Sequence, residues 1–374
     1  MKIGIDARFF GSIGKGLGRY TQKLIENLEK VDKKNQYYIF LRQENWNEYQ
    51  PQNKKFLKIL ANIPWYGFRE QFQLPKILKK FELDLVHFPH FNVPFFYKGK
   101  FIVTIHDLIL FHYSTKRVST LSPLIYFFKE IAYRLVIRNA VKKSEKIIAV
   151  SRYTKRDIEK YFRVSKEKIV VTYEAIDPIR KITSESKEKI LKKYGIIKPY
   201  ILYVGNVYPH KNLERLILVF REIIKKHPHL HLVLVGKEDY FYKRLKKYAS
   251  QNFVKNVIFT DYVPDEHLFV IYREARLYVF PSLYEGFGLP PLEAMAENIP
   301  VASSNGSCLP EILGDAAAYF DPKTTTEMAE VIEKAIFDEE LRQNLIQKGK
   351  ERIKKYSWEE MAKETLEIYS GIGS

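Results

Sequence analysis

The chain has 374 residues, 46% of them hydrophobic, and a net charge of +18; this length exceeds what one ordinary hydrophobic core supports and indicates two globular domains. Its single cysteine, Cys308, excludes an internal disulfide and a cysteine-based metal site. No apolar run approaches the ~18 residues that cross a bilayer, and the first residues lack the pattern of a signal peptide, so we expect a cytoplasmic protein.

In the first half of the chain, short apolar runs alternate with segments whose apolar residues recur at helical spacing. A glycine-containing loop is predicted over 11–19, between the first strand and the first helix. Such alternation is typical of parallel strands with helices on both faces of the sheet. The predicted strands are 1–5, 37–41, 83–88, 101–105 and 146–150, and the predicted helices are 20–28, 74–81 and one from about 153.

The same alternation restarts after a polar stretch near residues 178–189, and a last helix is predicted over 357–368. The sequence therefore predicts two doubly wound, Rossmann-like α/β domains, over 1–178 and 179–357, whose ligands bind beyond the carboxyl ends of the strands. In this half the predicted strands are 200–204, 230–235, 257–260, 277–280 and 300–303, and the predicted helices are 213–226, 241–252, 266–274, 291–297 and 326–337.

Two polar features follow predicted strands in the first half. The loop over 11–19 contains four glycines, which let a backbone approach an anion closely, and the next helix begins with free amides. This favours a phosphate site, with a loop that binds nothing as the alternative. His106 follows the strand over 101–105, where it can donate a hydrogen bond or transfer a proton near neutral pH. A histidine that only caps the next turn would show the same pattern.

The strand over 200–204 stops at Gly205-Asn206, and Lys211 lies just before the next helix. A fixed positive charge beside free helix amides suits a diphosphate, and a surface lysine is the alternative.

The most specific local pattern is the segment over 280–295, Phe-Pro-Ser-Leu-Tyr-Glu-Gly-Phe-Gly-Leu-Pro-Pro-Leu-Glu-Ala-Met. Glu285 leaves a strand into a glycine-rich turn, and Glu293 follows eight positions later in the next helix. Carboxylates placed there can accept hydrogen bonds from sugar hydroxyls while loop amides hold phosphates. Ordinary loop and helix acids are the alternative.

Glu285 and Glu293 match the Glu-x7-Glu motif of the family 4 retaining glycosyltransferases, and the residues around them resemble the usual sequence of that family's motif. The resemblance covers almost the whole chain, since similar segments occur in the family's order over 3–8, 16–20, 104–107, 150–154, 205–212 and 309–316.

The resemblance implies the GT-B fold, in which two Rossmann-like domains face a central cleft. The acceptor domain comes first and the nucleotide-sugar domain second, and a final helix, here 358–374, crosses back to the first domain. Bacterial mannosyltransferases of polysaccharide and lipopolysaccharide assembly are most similar, notably in Gly-Asn-x-x-Pro-His-Lys-Asn over 205–212, which favours GDP-mannose as the donor.

The resemblance also implies a role for each matching residue. Glu285 would face the reacting carbon, His106 would contact the donor sugar, and Glu293 would hold the ribose hydroxyls. The family's commoner pattern has an arginine where this chain has Asn206, so either Lys211 suffices as the phosphate cation or a residue of the first domain replaces it. The candidates for that replacement are Arg8, Lys15 and Arg19. The remaining donor-binding residues are Gly16, Gly205, Asn206, Lys211, Phe287, Gly288 and Leu289.

We expect the diphosphate to leave as the acceptor hydroxyl approaches the same face of the sugar, which retains the anomeric configuration and requires no metal or other cofactor. A transferase that uses a UDP-sugar is the alternative. Two less favoured alternatives are a sugar-nucleotide epimerase of the GT-B type, which would not explain the paired glutamates, and a non-catalytic anion-binding protein. No recognised nucleic-acid module occurs in the sequence, so we expect no nucleic-acid partner.

The positive charge is concentrated in the first half. Residues 1–178 contain 33 Lys and Arg against 17 Asp and Glu, whereas residues 179–374 contain 29 against 27. The segment 121–143 mixes aromatic and basic residues at helical spacing, which predicts peripheral contact with the anionic inner face of the cell membrane and access to a glycan or lipid-linked glycan acceptor. A core-facing helix with a basic outer side, and a lysine-rich surface adapted to heat, are the alternatives.

Overall fold

Each half of the chain folds around one parallel β-sheet. The computed structural model describes residues 1–113, 123–177 and 185–373, which form two units. The first unit comprises Met1–Glu174 together with the chain from Ser357, and the second comprises Ala175–Tyr356. The predicted boundary at residue 178 lies outside the described residues. The predicted α/β architecture with parallel strands is confirmed.

The first unit contains a seven-stranded sheet in the order β3-β2-β1-β4-β5-β6-β7. The order reverses between β1 and β4, and in doubly wound sheets ligands bind at the carboxyl end of such a reversal. The strands are β1 (Lys2–Asp6), β2 (Gln36–Leu41), β3 (Phe56–Leu60), β4 (Leu85–Phe88), β5 (Phe101–Ile105), β6 (Lys146–Ala149) and β7 (Ile169–Val171). The helices are α1 (Lys15–Val31), α2 (Phe68–Lys79), α3 (Ile109–His112), α4 (Pro123–Lys143) and α5 (Arg152–Phe162).

The second unit contains a six-stranded sheet in the order β10-β9-β8-β11-β12-β13, which reverses between β8 and β11. Its strands are β8 (Tyr200–Val204), β9 (His231–Val235), β10 (Val257–Asp261), β11 (Leu277–Phe280), β12 (Val301–Ser304) and β13 (Ala317–Phe320). Its helices are α6 (Lys187–Lys193), α7 (Leu213–Lys226), α8 (Tyr240–Gln251), α9 (Asp265–Arg273), α10 (Leu289–Ala296), α11 (Leu309–Leu313), α12 (Thr325–Phe337) and α13 (Glu339–Ile353).

The last helix, α14 (Trp358–Gly373), packs along α1 and so belongs to the first unit. A buried hydrogen-bonded chain fixes it to the sheet. The Tyr369 hydroxyl lies 2.7 Å from Nδ1 of His87 in β4, and Nε2 of the same ring lies 2.8 Å from Oγ1 of Thr104 in β5. Because all three side chains are buried, this series of hydrogen bonds specifies one register of α14 against the sheet.

The glycine-rich segment departs from the prediction. Only Gly11–Gly14 lies outside α1, as a single 3₁₀ turn, and the helix begins at Lys15. The predicted loop over 11–19 is therefore wrong from Lys15 onward. Packing explains the glycine at position 18, because a Cβ there would lie 2.1 Å from the carbonyl oxygen of Gly11. At Gly16 a Cβ would meet nothing within 4 Å, so the protein itself does not require that glycine.

No helix within the described parts of the chain is both long and apolar enough to span a bilayer.

Candidate functional site

An ion pair stands at the carboxyl edge of the second sheet, where the strand order reverses. Lys211 lies in the connection after β8, and Glu285 lies in the connection after β11. The Lys211 ammonium lies 2.6 Å from Oε1 of Glu285, and both side chains are largely buried. The lysine also stands 5.7 Å from the centre of the Phe280 ring. Two residues 74 positions apart thus meet at the place where this fold binds ligands.

Hydrogen bonds between loops hold this pair in place. The backbone amide of Leu283 donates to the carbonyl oxygen of His210, at 2.8 Å, which joins the two connections directly. The Glu285 amide donates to the Ser307 hydroxyl at 2.9 Å. Asn212 adopts a left-handed conformation (φ 61°) and its side-chain amide donates to the Pro281 carbonyl at 3.2 Å. The carboxylate is therefore presented by a rigid edge.

The same connection continues into the N-terminus of α10. Gly288 precedes the helix at φ 96°, a conformation that favours glycine, and Leu289 is its first residue. Pro290 and Pro291 follow and have no amide hydrogen. The amides that this helix start can direct at an anion are therefore confined to Gly288 and Leu289, with the Phe287 amide just before them.

Glu293 lies in the second turn of α10 and is partly exposed. Tyr272 donates a hydrogen bond to its Oε2 at 3.4 Å. At the end of β8, Gly205 has φ 146°. A Cβ at the neighbouring Gly236 would lie 2.3 Å from the carbonyl oxygen of Gly205. Asn206 is exposed, and its carbonyl accepts a hydrogen bond from the Tyr203 hydroxyl at 2.7 Å. The six other predicted donor-binding residues of this unit lie in these same connections or at the first position of α10. They are Gly205, Asn206, Lys211, Phe287, Gly288 and Leu289.

In the first unit, His106 directly follows β5 and both of its ring nitrogens are engaged. Nδ1 lies 2.8 Å from Oε1 of Glu174, and Nε2 lies 2.9 Å from the carbonyl oxygen of Pro89. The Pro89 carbonyl only accepts hydrogen bonds, so Nε2 carries the hydrogen that it donates, and a carboxylate beside Nδ1 favours the protonated form of the ring. Burial lowers the pKa of His106, but the hydrogen bond and charge of Glu174 outweigh burial and raise it above its ordinary value.

Because both ring nitrogens are already engaged, neither is available to take a proton from a substrate. The geometry of His106 therefore favours an electrostatic role over proton abstraction. The ring is further held by the edge of Tyr20, whose ring centre lies 4.7 Å away.

Of the cations considered as a replacement for the family's arginine, Arg8 is sequestered. Its guanidinium is fully buried, 2.7 Å from Oδ2 of Asp6 and 2.6 Å from Oε1 of Glu70. If Arg8 moved to a ligand, two buried carboxylates would lose their cation, and breaking a buried ion pair in this way costs about 3–5 kcal/mol. Of the three alternatives that the sequence leaves open, Arg8 is therefore the one that its contacts argue against. Lys15 is exposed at the start of α1, next to Gly16.

Sequence reasoning missed the residues that position the predicted ones. Glu174 follows β7, a strand that was not predicted, and Ser307 lies in the connection after β12. The short apolar run Ile169–Val171 could have indicated a strand, and Glu174 is a carboxylate just after its carboxyl end.

Comparisons with known proteins find similar sequences along almost the whole chain. Two family models match the chain, "Glycosyltransferase Family 4" over residues 14–180 and "Glycosyl transferases group 1" over residues 186–352. The chain is 26% identical to O-antigen chain mannosyltransferase B of Escherichia coli, over 95% of each chain. It is 27% identical to O-antigen chain mannosyltransferase RfbU of Salmonella typhimurium, over 70% of this chain and 68% of that protein.

Solved structures show the same fold at low identity. Sucrose-phosphate synthase of Thermosynechococcus elongatus superposes with a TM-score of 0.77 at 18% identity, covering 100% of this chain and 99% of that one. HepE of Anabaena, in complex with UDP-glucose, gives 0.73 at 16% identity and covers 99% of both chains. The predicted GT-B fold is confirmed.

Proposed function

Because the chain belongs to glycosyltransferase family 4, we propose that it transfers a hexose, mannose from GDP-mannose, to a glycan or lipid-linked glycan during assembly of a surface polysaccharide. It is a glycosyltransferase. The names of its relatives, two O-antigen chain mannosyltransferases, support the choice of mannose and of the acceptor class.

The observation that carries the proposal is the Lys211–Glu285 pair at the strand reversal of the second sheet. In the proposed reaction, the bond between the anomeric carbon and the diphosphate oxygen breaks. The acceptor oxygen bonds to the same face of that carbon, and its proton passes to the departing diphosphate. Lys211 and the amides at residues 287–289 stabilise the negative charge that develops on the diphosphate. The Glu285 carboxylate, beside them, stabilises positive charge on the sugar ring.

The remaining residues orient the donor. Glu293, partly exposed one turn inside α10, accepts hydrogen bonds from the ribose hydroxyls. His106 acts on the donor sugar through its partial or full positive charge, because both of its ring nitrogens are already engaged, by Glu174 and by the Pro89 carbonyl. Gly16 lets the backbone approach the diphosphate, since nothing in the protein occupies the space of its missing side chain. We propose that no metal is required, because cationic and amide donors already serve the leaving group.

The test is thermal unfolding of the purified protein with GDP, UDP, ADP and GDP-mannose, in the natural sequence and in Lys211→Ala and Glu293→Ala. A ligand at 100 times its Kd stabilises the folded state by about 2.7 kcal/mol. We expect GDP and GDP-mannose to raise Tm by several degrees, and both substitutions to reduce that rise. Lys225→Ala, which changes an exposed lysine of the same unit, serves as the control. No rise with any nucleotide would overturn the proposed donor site.

A UDP-sugar is the second candidate donor, and the HepE complex with UDP-glucose is the observation that favours it. A larger Tm rise with UDP than with GDP would select it.

Incubating the responding nucleotide-sugar with the enzyme and an acceptor, followed by NMR of the product's anomeric proton, tests retention of configuration. An inverted product would overturn the proposed mechanism. Recovery of an epimerised sugar without transfer would instead identify an epimerase. A lipid-linked acceptor would bring the enzyme to the cytoplasmic face of the membrane.

A further inference from the structure

An aromatic patch projects from the first unit. It consists of Phe68 and Phe72 on α2 and of Phe95 and Phe96 in the connection between β4 and β5, and all four side chains are exposed. Phe68 is 88% exposed, the largest value among the exposed large hydrophobic side chains of the described residues. Clusters of this kind on a soluble surface are uncommon and mark interaction sites.

The patch is a built feature. The rings of Phe72 and Phe96 stack with centres 5.0 Å apart, although both face solvent. The Phe95 amide donates to Oε1 of Gln71 on α2, at 2.7 Å, which fixes the connection to the helix. The Lys143 ammonium lies 5.0 Å from the centre of the Phe95 ring, so the end of α4 adjoins the patch. The aromatic rings are thus held outward by specific contacts.

Positive charge accompanies the aromatic residues. Together α2 and α4 contain eight Lys and Arg and only two acidic residues. Glu70 is buried against Arg8 and does not offset this charge, whereas Glu130 pairs with Arg134 and offsets one of the eight, so seven positive charges remain. The eight basic residues are Arg69, Lys76, Lys79, Lys129, Arg134, Arg138, Lys142 and Lys143.

The visible part of α4 adds further exposed apolar side chains. Phe127, Phe128, Ile131 and Leu135 are all exposed, and a ring contact between Tyr133 and Phe91, at 4.9 Å, ties this helix to the same connection that presents the patch. The segment predicted as a membrane contact begins at residue 121, and residues 121–122 lie outside the described ones. The aromatic residues of α2 and of the 95–96 connection were not part of that prediction.

We infer that the aromatic patch docks the first unit on an anionic phospholipid bilayer, with the phenylalanines entering the headgroup region and the basic residues of α2 and α4 facing lipid phosphates. Aromatic rings and lysine together suit the bilayer interface, whereas the centre of a protein–protein interface is depleted of lysine. A second copy of the chain would bring two strongly positive surfaces together and is disfavoured on charge. The inference rests on the proposed function only in that a lipid-linked acceptor gives such docking a purpose.

The experiment is flotation of the full chain with vesicles of phosphatidylglycerol and phosphatidylethanolamine, and separately with vesicles of phosphatidylcholine, at low and high salt. The test variant is Phe68→Ser combined with Phe72→Ser. The matched control is Phe253→Ser, because Phe253, in the second unit, is 87% exposed. A charge variant, Lys76→Gln with Lys79→Gln, is compared with Lys225→Gln in α7, which is also exposed.

We expect binding to the anionic vesicles that weakens with salt, and weaker binding to phosphatidylcholine. The aromatic double variant should lose about tenfold in partition coefficient, equivalent to about 1.4 kcal/mol, and Phe253→Ser should bind as the natural sequence does. The Lys76 and Lys79 variant should weaken binding at low salt only, unlike its control. Absent binding, equal binding to both vesicle types, or equal loss in the two phenylalanine variants would overturn the inference. A stable dimer dissociated by the aromatic variant would assign the patch to a second copy instead.

Thermal stabilisation by GDP, measured on the same variants, separates this inference from the proposed function. If nucleotides stabilise the protein but vesicles do not bind it, only the docking inference fails. If vesicles bind and no nucleotide stabilises, only the proposed donor site fails.

Discussion

The buried histidine of the first unit should make that unit sensitive to acid. Burial, followed by the positive charge of His106, lowers the pKa of His87 to about 3, from an ordinary value of 6.5. The unfolded chain therefore takes up a proton near pH 6.5 that the folded chain excludes down to about pH 3. The contribution of the neutral ring to stability is complete above pH 6.5 and is lost as the pH falls. At pH 4.5, two units below, the loss is roughly 2.7 kcal/mol.

The perturbation that isolates this effect is His87→Gln, a substitution of similar volume that does not titrate. The variant should be less stable than the natural sequence at pH 7.5, because the bonds to Tyr369 and Thr104 are impaired. Between pH 7.5 and 4.5, the unfolding free energy of the variant should nevertheless fall by roughly 2.7 kcal/mol less than that of the natural sequence.

Tryptophan fluorescence makes the measurement specific. Urea titrations followed by tryptophan fluorescence report on the first unit, because all three tryptophans lie in it. They are Trp46, Trp65 and Trp358. The quantity to compare is the change in unfolding free energy with pH, so the lower starting stability of the variant does not affect the conclusion. Equal pH dependence in the two proteins would refute the account of a neutral, buried His87.

Three further predictions follow from the same unit. Gly16→Ala adds a methyl group that meets no atom of the protein within 4 Å, so it should raise the free energy of unfolding by up to ~1 kcal/mol and yet weaken stabilisation by GDP. The control is Gly18→Ala, which would place its Cβ 2.1 Å from a carbonyl oxygen and should destabilise the unit with or without GDP. Unchanged GDP stabilisation in Gly16→Ala would remove Gly16 from the donor site. Arg8→Met should cost about 3–5 kcal/mol in urea unfolding, since two buried carboxylates lose their cation, and a loss below ~1 kcal/mol would mean that they are not charged. Glu174 raises the pKa of His106, so the stability from that charged ring is present below pH 6.5 and lost as the pH rises through the raised value. Glu174→Gln should abolish this decline above pH 6.5, and an unchanged decline would assign it to another group.

The sequence identified the central strands better than the edges, and burial explains the difference. All four residues of β11, in the middle of the second sheet, are buried, and its predicted and observed bounds agree. The strands that were not predicted, β3, β7 and β13, are all at sheet edges, and each contains positions that are at least partly exposed. An edge strand packs on fewer neighbours, so its apolar run is short and interrupted, as by Lys58 in β3. The helix α13 was missed for a similar reason, since most of its residues are polar.

The candidate site shows the same division between local and long-range information. Glu285, Glu293 and Lys211 were found because each stands at a recognisable change from strand to loop or helix. Their pairings were not, since nothing local indicates that Lys211 meets Glu285 across 74 positions, or that His106 meets Glu174 across 68. Those contacts depend on strand order, which follows from packing of the whole sheet.

The replacement of the family's arginine by Asn206 leads to a specific consequence for electrostatics. Arg8 cannot supply the missing charge, because its two carboxylate partners are buried with it. Lys15 and Arg19 stay as candidates from the first unit, and in the second unit Lys211 lies 2.6 Å from Glu285, so this pair is close to neutral as a unit. Under the proposed function, the second unit would then hold a diphosphate by the Lys211 ammonium at close range, by the amides before α10 and by that helix's dipole, equivalent to roughly half an elementary charge. Such attraction depends on short, directed hydrogen bonds more than on long-range charge, so nucleotide binding should depend on the geometry of the Gly288 turn more than on ionic strength.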